Sequence, residues 1–168
     1  LVDTMPDDFR FLEIGVFKGQ APSLVTLLAQ RSGKRARVVG IGRFDTFSGE
    51  TGMFPPHPAH SPDDVQALYA AFGLSMADTT LIAGDSTSDE IIRRIKRQKK
   101  FDLIYVDGCH EYGYVKKDLQ FYTTRLADNG LLVVDDAACS LKQPWGYFQG
   151  IADVSRATDE TLADWRNL

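Results

Sequence analysis

The sequence has 168 residues, of which 43% are hydrophobic and 25% are charged, and its formal net charge is −4. This length fits one domain of ordinary size, so we expect residues 1–168 to form a single domain. The net negative charge gives nucleic acid no electrostatic reason to bind. No apolar run approaches the roughly 18 residues that cross a bilayer, which argues against a membrane protein. Two cysteines are too few for a disulfide scaffold and fit a cytoplasmic protein.

Short β-rich runs alternate with helical patterns along the whole chain. Strands are predicted at residues 9–14, 37–41, 79–83, 101–106 and 131–134. Helices are predicted at residues 22–30 and 62–72, after a cap at Ser86 or Thr87, through Val115 to Leu126, and once more near the C-terminus. In the first helix, Leu24, Leu27 and Leu28 have helical spacing. This alternation predicts a doubly wound α/β fold, with a mostly parallel sheet and helices on both faces.

Acidic residues follow the predicted strands repeatedly. They are Glu13, Asp45, Asp85, Asp107, Asp135 and Asp136. In an open parallel sheet, ligands bind outside the carboxyl ends of the strands, where folding would bring most of these side chains together. Each acid alone has the alternative role of capping a helix, but the group as a whole predicts a ligand site.

A glycine-bearing turn follows the first predicted strand. Gly15 allows close backbone approach to a ligand, and Gly19 eases the start of the next helix. Phe17 stands where a dinucleotide fingerprint has its middle glycine. A nicotinamide-dependent dehydrogenase is therefore the weaker alternative for this turn.

Four segments together resemble the class I S-adenosylmethionine-dependent methyltransferases. They are Glu13-x-Gly15-x-x-x-Gly19, Gly84-Asp85, Asp107-Gly108-Cys109-His110-Glu111-Tyr112 and Val133-Val134-Asp135-Asp136. More narrowly, they are similar to the macrocin-type and mycinamicin-type sugar O-methyltransferases, whose Asp-x-Phe-x-Gly segment Asp45-Thr46-Phe47-Ser48-Gly49 also resembles. The resemblance covers roughly residues 9–138 and implies a Rossmann-like methyltransferase fold.

The resemblance also implies a cofactor, S-adenosylmethionine, and the residues that hold it. Glu13 and Gly15, in the turn that ends at Gly19, would line the methionine and ribose end. Asp45 would hold the ribose hydroxyls. However, Gly42-Arg43-Phe44 intervenes before it, where the family places its acid directly after the strand. Asp85 and Ser86 would lie beside the adenine.

In the metal-dependent branch of that family, the acids matching Asp107, Asp135 and Asp136 bind Mg²⁺, and the histidine matching His110 is the general base. The residue chemistry agrees, because a hard cation on carboxylates lowers the pKa of a bound hydroxyl and a histidine can accept the proton. Asp107 therefore joins His110 among the predicted catalytic residues. Asp135 and Asp136 are adjacent, so both can be ligands only if the strand ends there. His110 has the alternative role of capping the helix that begins near Glu111.

The expected activity is O-methylation of a sugar or another small hydroxyl compound. One alternative is a metal-independent methyltransferase. The family fold has seven strands and five are recognised in this sequence, so we expect the domain to be incomplete at its C-terminus. That expectation leaves open a second alternative, a cofactor-binding or regulatory domain without catalysis. Association into a homo-oligomer also stays open.

Overall fold

The computed structural model describes residues 1–44, 60–139 and 150–165. Within them lies a five-stranded sheet with strand order β3-β2-β1-β4-β5, in which all neighbouring strands are parallel. The strands are β1 (Asp8–Ile14), β2 (Arg35–Gly42), β3 (Thr79–Ala83), β4 (Phe101–Val106) and β5 (Leu126–Val134). Strands β1 and β4 are neighbours although they are not consecutive in the chain, so the chain order reverses between them. Parallel strands carry their ligands beside such a reversal, at their carboxyl ends.

Five helices connect and flank the described strands. They are α1 (Gln20–Arg31), α2 (Pro62–Ala71), α3 (Asp89–Lys96), α4 (Tyr112–Tyr122) and α5 (Ala152–Thr161). None of the helices in the described ranges is long and apolar enough to cross a membrane. The bounds predicted from the sequence for β3 and β4 are confirmed to the residue.

The hydrophobic core has two layers, because successive side chains of a strand point to opposite faces of the sheet. On one face, Phe9 and Phe11 of β1 pack with Val25 and Ala29 of α1. On the other face, Leu12 and Ile14 belong to a cluster that includes apolar side chains of α3, α4 and α5. Helices therefore cover both faces, as the sequence predicts. Because apolar side chains fill both layers, polar side chains are expected at the ends of the strands.

Two predicted helix boundaries are wrong. Helix α3 is capped by Ser88, whose hydroxyl accepts a hydrogen bond from the Ile91 amide, and not by Ser86 or Thr87. Leu126 does not continue α4, because a 3-10 turn at Thr123–Arg125 intervenes and Leu126 is the first residue of β5. The local cause is that Thr123 and Thr124 turn their hydroxyls onto carbonyls of α4 and end the helix.

The buried face of α1 also differs from the predicted one. Leu24 and Leu28 have helical spacing, but they are 55% and 39% exposed. Val25 and Ala29, one position further along, are the residues that reach the core. The periodicity of apolar residues correctly predicts the helix. Which face of the helix is buried depends on packing against the side chains of the sheet.

Candidate active site

The turns after β1 and β4 are in direct backbone contact, and this contact forms the base of the site. The Asp107 amide donates a hydrogen bond of 2.8 Å to the Ile14 carbonyl. Gly15 has a φ of +102°, and a Cβ at this position would lie 1.9 Å from the Asp107 carbonyl oxygen. Only glycine fits such a position. The sequence predicts that Gly15 allows close backbone approach to a ligand. In the structure, the group that approaches Gly15 is the Asp107 backbone.

Gly19 is the residue directly before α1 and has a φ of +88°. A Cβ at Gly19 would lie 2.7 Å from Cγ1 of Val65 in α2. The glycine therefore lets the N-terminus of α1 pack closely against α2. This agrees with its predicted role at the start of the helix.

Three ionisable side chains meet beyond the ends of β4 and β5. Asp107, His110 and Asp136 each offer one ligand atom, and these atoms all lie within 4.8 Å of one another. The His110 Nε2 atom lies 3.1 Å from Oδ2 of Asp136 and 3.9 Å from Oδ1 of Asp107. All three side chains are partly buried. We call these three residues the acid–histidine cluster, and it contains three of the four residues predicted for the metal and the base.

The backbone at Asp136 is what turns its side chain toward His110. Strand β5 ends at Val134, and Asp136 has a φ of +57°, in the left-handed region that aspartate tolerates better than most residues. The Ile151 amide donates a hydrogen bond of 2.8 Å to the Asp136 carbonyl, and Gly150 packs against the same carbonyl. The strand therefore ends before the two adjacent acids. This is the condition under which both Asp135 and Asp136 can reach the site.

Asp135 lies beside the acid–histidine cluster without joining it. Its Oδ2 accepts a hydrogen bond of 2.5 Å from the Tyr105 hydroxyl, which is also 3.3 Å from Oδ2 of Asp107. Burial, together with the hydrogen bond to Asp135, raises the pKa of Tyr105 well above its usual range, so Tyr105 stays a proton donor. Tyr105 is not among the site residues predicted from the sequence. The sequence does carry a signal for Tyr105: it stands two residues before Asp107, so the two side chains point to the same face of the sheet. In the sheet, Tyr105 is paired with Glu13 of β1.

Glu13 is a carboxyl group inside the sheet, near its carboxyl edge, and is 4% exposed. Burial, followed by the nearby charge of Asp107, raises the pKa of Glu13 to about 8. Its Oε2 atom has no hydrogen-bond partner within the described parts of the chain. Buried polar atoms of proteins are almost always paired, so this oxygen is suited to a donor that the chain itself does not provide.

The loop between β3 and α3 holds the other predicted cofactor residues. Oδ1 of Asp85 accepts hydrogen bonds of 2.8 Å from both the amide and the hydroxyl of Thr87, which shapes the loop. The Ser86 carbonyl accepts a hydrogen bond of 2.8 Å from the Tyr122 hydroxyl of α4. Asp45, the predicted ribose ligand, lies outside the described residues.

Comparison with known proteins identifies the family. A family model described as a methyltransferase domain matches residues 12–137, which is most of the chain. The chain belongs to this methyltransferase family. The predicted class I methyltransferase family and fold are thereby confirmed. A search of curated protein sequences finds no significant match.

Solved structures show the same fold at low sequence identity. CalS11, described as a TDP-rhamnose 3′-O-methyltransferase of calicheamicin biosynthesis, matches 96% of this chain with 22% identity and a TM-score of 0.59. The methyltransferase MycE, solved with Mg, S-adenosylhomocysteine and mycinamycin VI, matches 94% with 21% identity and a TM-score of 0.51. PaMTH1 of Podospora anserina, solved with S-adenosylhomocysteine, matches 93% with 22% identity and a TM-score of 0.51. This methyltransferase chain spans less than two thirds of each protein, namely 65%, 37% and 62%.

Proposed function

We propose that this domain transfers a methyl group from S-adenosylmethionine to a hydroxyl of a sugar or another small polar compound, with help from Mg²⁺. The observation that carries the proposal is the acid–histidine cluster, which lies at the carboxyl edge of the sheet in a methyltransferase fold. The descriptions of CalS11 and MycE support a sugar-bearing acceptor.

The donors of the cluster fit a hard divalent cation. Asp107 and Asp136 supply carboxylate oxygens that are close enough to share one ion, and Mg²⁺ prefers such oxygens over imidazole nitrogen. Asp135 would complete the set by exchanging its hydrogen bond with Tyr105 for the ion. A cation held there would lower the pKa of the acceptor hydroxyl.

The cofactor fits the first turn of the fold. The unpaired oxygen of buried Glu13 suits the ammonium or ribose hydroxyl donors of S-adenosylmethionine. Gly15 and Gly19 let this turn pack closely against Asp107 and Val65, which fixes its backbone beside Glu13. When bound, the cofactor supplies an electrophilic methyl group on sulfur.

The chain's own contribution is then to position the acceptor and to remove its proton. His110 is the proposed general base. Asp107 and Asp136, both within 4 Å of its Nε2 atom, would stabilise the imidazolium that forms. The Asp107 backbone is fixed on Ile14 and the Asp136 backbone on Ile151, so the groups do not have to be ordered during the reaction.

Calorimetric titration with S-adenosylhomocysteine and with Mg²⁺ tests this proposal. We expect the wild-type protein to bind both, and Asp136→Asn to lose at least about tenfold in Mg²⁺ affinity. Asp128→Asn is the matched control, because it makes the same change on exposed β5 residue Asp128, whose side chain is 98% exposed. A folded protein that does not bind S-adenosylhomocysteine would contradict the proposed function.

Turnover measurements separate the remaining alternatives. Methyl transfer to a sugar nucleotide that persists undiminished in the presence of a chelator would favour the metal-independent mechanism. Cofactor binding without transfer to any of a panel of hydroxyl acceptors would favour a domain that binds without catalysis. Loss of transfer in His110→Ala, with cofactor affinity retained, is the result expected for a general base.

A further inference from the structure

A histidine is buried beside the glycine-bearing turn that follows β1. His60 stands two residues before α2 and is 9% exposed, and Nδ1 of its imidazole has no hydrogen-bond partner among the described residues. Buried polar atoms are almost always paired, and an unpaired one costs free energy. His60 does not belong to the acid–histidine cluster, so its unpaired nitrogen requires another explanation.

The imidazole of His60 contacts two segments that follow neighbouring strands. Its ring centroid lies 4.8 Å from that of Phe17, in the glycine-bearing turn after β1, and 5.9 Å from that of Phe44, which follows β2. The turn after β1 is predicted to line the methionine and ribose end of the cofactor. Phe44 directly precedes Asp45, the predicted ribose ligand. His60 therefore contacts both segments from which the sequence predicts contacts to ribose.

Packing explains the ring of His60 but not its nitrogen. The ring meets Phe17 and Phe44 edge to face, at interplanar angles of 63° and 61°. Aromatic rings prefer such angles, so a phenylalanine at position 60 could make the same contacts without burying a polar atom. The nitrogen is therefore suited to a partner that the chain itself does not provide.

The start of α2 holds the backbone beside His60 in place. The Ser61 amide donates a hydrogen bond of 2.7 Å to Oδ2 of Asp64, which caps the helix. A Cβ on Gly19 would lie 2.7 Å from Cγ1 of Val65, so α2 also packs closely on the glycine-bearing turn. A polar atom that is held in place before its ligand arrives costs less entropy on binding.

A ribose hydroxyl is the cofactor group that best suits this nitrogen. Nδ1 of a neutral imidazole is a donor in one tautomer and an acceptor in the other, and a hydroxyl pairs with either. The ammonium group of the cofactor can only donate and its carboxylate can only accept, so each of them suits a single tautomer.

We propose that His60 is a binding residue of the cofactor site, whose Nδ1 atom forms a hydrogen bond with a ribose hydroxyl of S-adenosylmethionine. This inference rests on the proposed function, because it assumes that the glycine-bearing turn binds the cofactor. It assigns to His60 no part in metal binding or in proton transfer.

Calorimetric titration with S-adenosylhomocysteine and with its 2′-deoxy and 3′-deoxy analogues tests the contact. His60→Phe keeps an aromatic ring but lacks the nitrogen, so we expect it to bind S-adenosylhomocysteine about tenfold more weakly than the wild type. His60→Asn keeps a polar atom next to Cγ, as in Nδ1, and should bind more tightly than His60→Phe. Loss of the paired hydroxyl should weaken binding to the wild type but have little effect on binding to His60→Phe.

The outcomes are distinguishable. His60→Phe binding as tightly as the wild type would overturn the role of His60, and so would equal losses from both deoxy analogues in the two proteins. If His60→Phe does not fold, His60→Leu gives the same comparison, since leucine also lacks the nitrogen. Gln66→Ala, at an exposed position of α2, is the control and should leave the affinity unchanged. Absence of binding by the folded wild-type protein would instead overturn the proposed function, and this inference with it.

Discussion

Replacing Glu13 by glutamine should remove a large pH dependence of stability. Glu13 is nearly inaccessible, and its carboxyl lies in the field of Asp107. Its pKa is raised from 4.5 to about 8 in the folded protein. Glutamine keeps the shape of the protonated side chain but cannot ionise, so the variant should behave like the wild type at low pH and differ from it at high pH.

The sign and size follow from the shifted pKa. Between pH 4.5 and about 8, the folded protein holds a proton on Glu13 that the unfolded chain has lost. Stability is therefore fully present below pH 4.5 and falls as pH rises through about 8. Each pKa unit corresponds to about 1.4 kcal/mol, so Glu13 should lower the free energy of unfolding by about 5 kcal/mol across this window.

Urea denaturation at about pH 5 and about pH 9 measures this effect. The free energy of unfolding should fall by about 4 kcal/mol less in Glu13→Gln than in the wild type between the two conditions, because pH 5 already lies above the unfolded pKa of 4.5. Glu90→Gln makes the same change at an exposed position of α3 and controls for the altered net charge. An identical pH dependence in Glu13→Gln and wild type would refute the argument that Glu13 is buried as a neutral acid.

Two further substitutions test local structure by the same denaturation measurement. Gly15→Ala should destabilise the protein by several kcal/mol more than Gly33→Ala, which costs about 1–2 kcal/mol. Both glycines have positive φ, but only Gly15 would place its Cβ against the Asp107 carbonyl. Equal losses in the two variants would contradict the packing of the two loops. Ser88→Ala should cost about 1 kcal/mol through loss of the cap on the Ile91 amide, and no loss would argue against that cap.

The sheet could be predicted well because apolar runs and turn residues mark its strands. Thr79–Ala83 ends at a glycine and Phe101–Val106 ends at Asp107-Gly108, so their bounds are legible in the sequence. The start of β5 cannot be read from the sequence in this way. Leu126 continues the apolar spacing of α4, and Asn129, with a φ of +64°, interrupts the strand that Leu126 begins. Local pattern cannot decide such a boundary, because the pairing of Leu126 with Phe101 of β4 determines it.

The candidate site could be predicted as a set of acids, but not as a geometry. Acids at strand ends converge because parallel strands end at one edge. Which of two adjacent aspartates faces His110 depends on the left-handed backbone of Asp136, and that conformation is supported by residues 150 and 151, far along the chain. The buried Asp118 of α4 had a signal of its own, since it stands three residues after Val115, at an apolar position of the helix. Tyr105 had a signal too, because it stands two residues before Asp107 and therefore points to the same face of the sheet.

The placement of protons explains how so many acids share one edge of the sheet. Glu13 is held as a neutral acid, and the Tyr105 hydroxyl lies between the carboxylates of Asp135 and Asp107. Each of these arrangements reduces the repulsion that closely spaced negative charges would otherwise create. A divalent cation would serve the same purpose more strongly, and protons and metal would compete for the same oxygens. Metal binding at this edge of the sheet is therefore expected to strengthen as the pH rises.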